Sequence, residues 1–365
     1  MTGRPRKPGV VAVARAAGVS ASTVSNAFNR PERLSPELRE RVLRAAAELG
    51  YGGADPVARS LRSGRAGAIG IVFRKPLAKA FDDPATARLL RGVSDVTDPQ
   101  QLAIVLVPGL PDEEPSVAPA VGNAAVDGLI VYSLPGDDPL VAATRRRRVP
   151  IVIVDSPALD ELPAPAGLDF VGIDDVGAAE TAVRHLLDLG HRSLAILSLG
   201  LSAYAHPGPA GIDLQAQATA SVPKARLEGC ARAVAAAGLD WSGIPVEQRP
   251  ANDIASGCAG THALLDRAPS VTALFAFSDP LALGAMLAAR ERGLSVPEDL
   301  SIVGFDDTAP AGEELTSVHQ PLRDKGRIAA ERLLRAQAPE PPAAPSELLP
   351  TSLVVRASTG PPRPA

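Results

Sequence analysis

The sequence predicts a small all-α module at the N-terminus, followed by a larger α/β body of two lobes. Three observations lead to this fold class: three short amphipathic segments with helix-capping signals, seven apolar runs after residue 67, and helical patterns between those runs. Strands that alternate with helices indicate parallel sheets. Seven runs over about 300 residues exceed one sheet domain of ordinary size, so two lobes are expected.

Three short helices are expected at the start of the chain, and each is marked by the residues at its ends. The segment 10–17 carries an apolar stripe and stops at Gly18. Ser20 is a suitable N-cap for the second helix, and Ser35, with proline at the next position, opens the third. Gly50 closes the third helix, so the module is expected to be helical throughout.

The α/β body is predicted from apolar runs of strand length. These runs are 68–73, 102–107, 128–132, 150–154, 193–197, 273–277 and 300–305. Amphipathic helical patterns separate several of them, at 178–189, 224–237 and 281–292. This alternation is typical of an α/β architecture.

Charge is distributed unevenly along the chain, whose net charge is −4. Residues 1–65 hold 12 Lys and Arg against five Asp and Glu, whereas the remaining 300 residues hold 25 against 36. A merely solvated charged surface would scatter both signs evenly. A basic module joined to an acidic body indicates a polyanion partner for the first part only.

Length and composition exclude several classes of protein. With 365 residues, 45% of them hydrophobic, the chain can bury a substantial core without disulfides. Cys230 and Cys258 provide neither a disulfide framework nor zinc-site spacing, and we expect both to be small buried hydrophobes. No apolar run approaches the roughly 20 residues of a membrane span, and no signal-peptide core is present. We therefore expect a cytoplasmic protein without a metal site.

The spacing of small residues in the segment 13–29 is typical of a helix-turn-helix. Ala14 lets two helices approach, Gly18 takes the tight turn, and Val24 anchors the second helix in the core. The same spacing occurs in plain helical hairpins. In a basic N-terminal module, however, it favours DNA binding.

The second helix would present its early side chains to the major groove of DNA. Asn26 can bond two edge atoms of adenine, and Ala21 can touch the methyl group of thymine. Thr23 and Ser25 are better suited to phosphate contacts. The outward-facing candidates are Ala21, Ser22, Ser25 and Asn26.

Carboxylates are the candidate ligand-binding groups of the body. Adjacent aspartates stand at 82–83, 137–138, 174–175 and 306–307, and as a bare pattern they suit a glycosidase pair or metal ligands. Adjacent side chains point apart, so a loop cap plus one ligand contact explains each pair better. Asp155 and Asp306 each end an apolar run, and open α/β sheets bind ligands at the carboxyl ends of strands. Such a carboxylate can hold two hydroxyls of a sugar; the alternative is structural capping.

No catalytic pattern accompanies these carboxylates. The sequence has no Gly-x-Ser-x-Gly elbow, no phosphate-binding P-loop and no His-Glu-x-x-His helix. His185 and His191 are expected to cap or pack. We therefore expect neither enzymatic activity nor a cofactor.

Short motifs in a fixed order run along nearly the whole chain. In the first 65 residues they are GVS at 18–20, TVS at 23–25, LGY at 49–51 and ARSLR at 58–62. In the body they are GIDD at 172–175, HL at 185–186, LGHR at 189–192, RLEG at 226–229, VPEDLSIVGFDD at 296–307, HQP at 319–321 and LVVR at 353–356. Together they resemble the LacI/GalR family of repressors.

The resemblance implies a fold and a division of the chain. It implies a helix-turn-helix DNA-binding domain at 1–54, a hinge helix and linker at 55–66, and a periplasmic-binding-protein-like effector domain at 67–365. Within that domain it implies an N-lobe of about 67–156 and 320–336, and a C-lobe of about 157–319 and 337–365.

For DNA, the resemblance implies contacts by the second helix and by paired hinge helices. One helix over 57–63 is too short to be stable alone, whereas two packed together on DNA could persist. Leu61 would enter the minor groove as a wedge; the alternative is that it packs against the body. The expected DNA-binding residues are Ser20, Ala21, Ser22, Thr23, Ser25, Asn26, Asn29, Ala58, Arg59, Leu61 and Arg62.

For the body, the resemblance implies a small-molecule cleft between the lobes. The expected effector-binding residues are Phe73, Phe81, Asp155, Arg226, Ser278, Asp306 and Gln320. The function expected is that of a homodimeric transcriptional repressor that binds double-stranded operator DNA and a sugar-like effector. The alternatives are a two-lobed solute-binding protein, or a sugar-acting enzyme with a nucleic-acid-binding tail.

Overall fold

Two units make up the chain, Met1–Ala66 (the N-terminal unit) and Gly67–Ala365 (the body). The computed structural model describes residues 9–53, 64–109, 118–159, 162, 168–310, 314–337 and 346–363. None of the described helices is long and apolar enough to cross a membrane.

The N-terminal unit contains the three helices that the capping signals predict. They are α1 (Val10–Ala17), α2 (Ala21–Asn29) and α3 (Pro36–Glu48), with a 3₁₀ turn at Pro31–Arg33. The hydroxyl of Ser20 accepts a hydrogen bond from the backbone N–H of Thr23 at 3.1 Å, and Ser35 caps α3 in the same way. The apolar faces of the helices share one core, formed by Val13, Ala14, Ala17, Val24, Ala27, Val42, Ala45 and Ala46.

The described part of the body holds thirteen strands and ten helices. The strands are β1 (Ala68–Phe73), β2 (Ala103–Pro108), β3 (Gly128–Tyr132), β4 (Ile151–Val154), β5 (Leu168–Ile173), β6 (Leu194–Leu199), β7 (Gly208–Pro209), β8 (Val246–Arg249), β9 (Ala273–Ala276), β10 (Ser301–Asp306), β11 (Thr316–His319), β12 (Glu347–Leu349) and β13 (Ser352–Val354). The helices are α4 (Leu77–Asp82), α5 (Pro84–Thr97), α6 (Ala118–Asn123), α7 (Pro139–Arg145), α8 (Asp175–Asp188), α9 (Ile212–Ala216), α10 (Ser221–Ala236), α11 (Ile254–Arg267), α12 (Asp279–Glu291) and α13 (Leu322–Ala336). Each of the seven predicted apolar runs forms a strand.

Two separate sheets confirm the prediction of two α/β lobes. The first has six strands in the order β12-β5-β4-β3-β1-β2, and all its neighbours are parallel. The second has seven strands in the order β13-β11-β10-β9-β6-β8-β7. Only its outermost pairs, β13 with β11 and β7 with β8, are antiparallel.

The expected boundaries of the lobes were wrong in two places. Strands β5 and β12 pair with each other in the first sheet, although residues 157–319 and 337–365 were assigned to the second lobe. The chain therefore crosses between lobes after β5, between β11 and α13, and between β12 and β13. Strand β5 was not predicted because its first half, Leu-Asp-Phe, is only partly buried and does not form an apolar run.

Helices α5 and α13 interlock on the first lobe. A Cβ atom on Gly92 would lie 1.8 Å from the backbone oxygen of Arg323, and one on Gly326 would lie 2.1 Å from that of Leu89. Only glycine allows the two backbones to approach so closely. This contact fixes the inner face of α13, which carries Lys325 next to Gly326.

Candidate functional site

The turn between α1 and α2 has the geometry that the small-residue spacing predicts. Gly18 lies in the left-handed region with φ +64°, where glycine has no steric penalty. The backbone N–H of Val19 donates to the carbonyl oxygen of Ala14 at 2.9 Å, which closes α1. Val24 is fully buried, so the opposite side of α2 is the one that remains available.

Helix α2 exposes a polar surface on its first two turns. Ala21 and Ser22 are exposed, and Thr23, Ser25 and Asn26 are partly exposed. The hydroxyl of Ser20 lies 2.7 Å from that of Ser22 and 2.8 Å from that of Thr23, so hydroxyl groups cluster at the start of the helix. The remaining predicted DNA-binding groups lie outside the described residues: the Asn29 side chain, Ala58, Arg59, Leu61 and Arg62.

The body contains a continuous polar chain that joins the two lobes. The Lys325 ammonium on α13 donates to a carboxylate oxygen of Asp155, which follows β4. The same ammonium donates to the Gln320 side-chain oxygen, and the Gln320 amide nitrogen donates to the carboxyl of Asp306 at the end of β10. Three of the predicted effector residues are thus brought together, with Lys325 as an unpredicted fourth member.

The two aspartates of this polar chain, Asp155 and Asp306, have strained backbone conformations. Asp155 has φ +66° and Asp306 has φ +103°, a region that non-glycine residues rarely occupy. Such strain concentrates at ligand-binding sites. Burial raises the pKa of Asp306 to about 8, and nearby Arg226 opposes the rise. The Asp306 carboxyl is therefore mostly protonated at neutral pH.

Arg226 is fixed by contacts on three sides. Its Nε donates to the Asp175 carboxylate at 2.8 Å, and another guanidinium N–H donates to the carbonyl oxygen of Phe277. The guanidinium lies 3.4 Å from the ring centre of Phe305, a cation–π contact. Burial raises the pKa of Asp175, against the lowering effect of Arg226.

The other three predicted effector residues have different surroundings. Ser278 caps α12 and bonds the side-chain oxygen of Asn252 at 2.5 Å. Phe73 was expected to line the cleft, but it is only 1% exposed and belongs to the core of the first lobe. Phe81 is 64% exposed and borders an open apolar groove of about 400 Å³ with Leu90, Ile104 and Leu106. The structure does not bring the two phenylalanines into the polar chain.

Basic residues beside the cleft form salt bridges with aspartates, either in their own lobe or in the opposite one. Arg74 bonds Asp138 at 2.8 Å, and Lys75 bonds Asp83. Between the lobes, Lys79 on α4 pairs with Asp253 at 3.1 Å. Of these three pairs, the first two lie within the first lobe, and the pair of Lys79 with Asp253 joins the two lobes.

Three of the four aspartate pairs contain the loop cap that we expected. Asp83, Asp138 and Asp174 each cap a helix through a backbone N–H.

The prediction that Cys258 is buried was wrong: it is partly exposed, with its Sγ 3.5 Å from a carboxylate oxygen of Glu291.

The two histidines in the central motif block have structural partners. His191 is 1% exposed and bonds Thr272 and the carbonyl oxygen of Gly360. His185 bonds Thr359, so both histidines hold the last described segment of the chain against the second lobe.

Sequence reasoning missed Lys325, although a signal was present. The apolar pattern of α13 places Leu322, Gly326, Ala329 and Leu333 on one buried face. Lys325 falls on that same face, three residues after Leu322. Since an unpaired buried ammonium is costly, a lysine at such a position indicates a specific carboxylate partner.

Comparison with known families gives two matches. Residues 12–52 match the bacterial regulatory proteins of the lacI family, and residues 183–359 match the periplasmic binding protein-like domain. The HTH-type transcriptional regulator IpsA of Corynebacterium glutamicum is 38% identical over 336 residues, which cover 91% of this chain and 92% of that protein.

Solved structures show the same architecture. A complex of the transcriptional regulator CelR with cellobiose superposes with a TM-score of 0.67 at 32% identity, covering 96% of this chain and 99% of that one. The lac repressor dimer bound to operator and the anti-inducer ONPF superposes with a TM-score of 0.74 at 25% identity, covering 97% of this chain and 100% of that one.

Proposed function

Because this chain belongs to the lacI family of bacterial regulatory proteins, and is therefore a DNA-binding transcriptional regulator, we propose that it is a repressor controlled by a sugar-like effector. The effector binds between the two lobes of the body. We place the protein in the cytoplasm, where its DNA is, and assign it no enzymatic role.

One observation carries the proposal: the polar chain from Asp155 through Lys325 and Gln320 to Asp306 is buried and spans both lobes. Carboxyl groups at strand ends accept hydrogen bonds from hydroxyls, and Arg226 offers a fixed fork of donors beside them. Cellobiose in the CelR complex supports a sugar as the ligand class.

On the DNA side, we assign base contacts to the exposed start of α2. Ser22 and Asn26 face away from the core and carry groups that match base edges in the major groove. The lac repressor structure, a dimer on its operator, supports a homodimer on a near-palindromic site. We assign the segment 55–66 as the hinge, with Leu61 as the minor-groove wedge.

Regulation requires that the effector distinguish between two arrangements of the lobes. A ligand that contacts Asp306 on the second sheet and Asp155 on the first binds more tightly to the arrangement that satisfies both groups. Its binding energy then changes the equilibrium between arrangements, and with it the affinity for the operator.

Genome-wide mapping of bound DNA would test this function. We expect discrete near-palindromic sites upstream of genes for sugar uptake or breakdown, with occupancy that changes when the corresponding sugar is supplied. Fluorescence-anisotropy titration of one such site with the purified chain, with and without that sugar, provides the quantitative check. Binding without sequence preference, or sites that no sugar affects, would contradict the proposal.

A further inference from the structure

The buried cations at the cleft are matched by carboxylates. Lys325 is paired with Asp155, and Arg226 with Asp175, and the four side chains are each at most 9% exposed. Nearer the surface, Arg74 and Lys75 each have a carboxylate partner as well.

Asp306 is different, because no Lys or Arg among the described residues forms a salt bridge with it. Its one side-chain partner there is the amide of Gln320. Arg88, which is partly exposed at the lobe boundary, donates to the backbone carbonyl oxygen of Asp307 at 2.7 Å. Beside its paired charges, the cleft therefore holds the Asp306 carboxyl, which has no cation partner among the described residues and can exchange hydrogen bonds with hydroxyls.

Matched charges of this kind determine which ligands the cleft accepts. Separating a buried ion pair leaves one charge uncompensated, which is strongly unfavourable. A phosphate or carboxylate on the effector would have to separate Lys325 from Asp155, or lie beside the carboxylates of Asp155 and Asp175. Hydroxyl groups impose neither cost, since they can donate to a carboxyl and accept from an ammonium at once.

We propose that the cleft selects an uncharged, polyhydroxylated effector and excludes sugar phosphates and sugar acids, with Asp155 setting this selectivity by neutralising Lys325. The inference rests on the proposed function, because it assumes that the effector is sugar-like and binds at the polar chain.

Isothermal titration calorimetry on the full chain tests the charge preference with matched ligands. Suitable sets are glucose, glucose 6-phosphate and glucuronate; ribose and ribose 5-phosphate; and cellobiose and cellobionate. In at least one set we expect the neutral member to bind and its charged derivatives to bind at least about 100-fold more weakly, a difference of about 2.7 kcal/mol.

The charge change Asp155→Asn tests the role of the ion pair. Asparagine has nearly the same shape and can still accept from Lys325, but the ammonium is then unneutralised. We expect the neutral-to-anionic affinity ratio to fall at least about tenfold, because the cleft gains one positive charge. The double variant Asp155→Asn/Lys325→Met removes both charges and should restore the preference. Asp95→Asn, which removes the same charge from an exposed pair with Arg323, is the matched control and should leave the ratio unchanged.

The outcomes separate this inference from the proposed function. Tighter binding of an anionic member by the unmodified chain would overturn the inference while the proposed sugar effector stands. Binding of no member of any set would overturn the sugar effector, and this inference with it. An unchanged ratio in folded Asp155→Asn, judged by circular dichroism and operator binding, would overturn the role of Asp155. If that variant does not fold, the matched-ligand comparison on the unmodified chain still decides the charge preference.

Discussion

The ammonium of Lys325, which is fully buried, donates to the carboxylate of Asp155 across 170 positions of sequence. Asp155 ends a strand of the first sheet, and Lys325 lies on the helix that interlocks with α5 over the same lobe. Gln320, at a crossing between lobes, extends this pair to Asp306 on the second sheet. One buried pair thus anchors a connection between both lobes of the effector domain.

Mutations in the body and in the hinge should affect effector binding and operator binding separately. Asp306→Ala removes a carboxyl group from the polar chain, so we expect it to abolish the effector response while operator affinity without effector stays nearly unchanged. Leu61→Ala should weaken operator binding while effector binding to the body survives, since it removes only the proposed wedge. Anisotropy titration of operator and calorimetric titration of effector on both variants provide the check. Normal effector affinity in Asp306→Ala, or full operator affinity in Leu61→Ala, would contradict this division.

Effector affinity should depend on pH through Asp306. Burial raises the pKa of this carboxyl to about 8, against the lowering effects of Arg226 and of the Gln320 hydrogen bond. Below that pH the group is mostly protonated, and an effector whose hydroxyls donate to the carboxylate must displace the proton. We therefore expect affinity to increase from pH 6 to pH 8, by at most about tenfold per unit. Calorimetry in buffers of different ionisation enthalpy would detect the released proton, and Asp306→Asn should lose the dependence.

Mutations of Asn26 and Arg62 should have different effects on DNA binding, because we assign the first residue to base contacts and the second to contacts with DNA charge. Asn26→Ala removes a partly exposed amide from α2, and we expect it to relax the preference at particular base positions at a cost of about 1–3 kcal/mol. Arg62→Ala should weaken binding to all sequences alike and reduce the salt dependence, since it removes one contact with DNA charge. Selection of binding sites from random DNA, followed by salt titration, would measure both effects. An unchanged binding motif for Asn26→Ala would exclude our placement of α2 in the major groove.

The protein should be a dimer in solution and on DNA. One N-terminal unit can read only a half-site, so a near-palindromic operator requires two copies related by a two-fold axis. Light scattering at micromolar concentration, with and without operator, should give twice the mass of the 365-residue chain. A monomeric mass under both conditions would contradict this expectation.

Stability should decrease in mild acid because of His191. Its imidazole is buried against Thr272 and Gly360, and burial lowers its pKa below the ordinary value of 6.5. The unfolded chain therefore takes up a proton that the folded chain resists, so stability is full above about pH 6.5 and falls as the pH drops below it. Urea unfolding between pH 5 and 8 should show a steeper loss for the unmodified chain than for His191→Gln. Equal pH slopes would mean that the histidine does not couple folding to protonation.

Much of the fold was accessible from the sequence because the relevant signals are local. Ser20 and Ser35 cap helices through bonds to residues three positions away, and Gly18 takes a conformation that other residues avoid. The apolar runs became strands, since their length and composition suit a buried sheet. The motif order identified the family, and the placement of Asp155 and Asp306 at strand ends followed from the alternation of strands and helices.

Only the tertiary structure decided which distant groups meet. The strand at 168–173 lies in the first sheet because it pairs with β4 and β12, and its own sequence does not specify these partners. Phe73 entered the core, and Phe81 stayed on the surface, because neighbouring helices cover one and not the other. The pairing of Lys325 with Asp155 depends on how α13 docks against α5. Burial, charge compensation and close packing are properties of the assembled chain, so no local pattern could specify them.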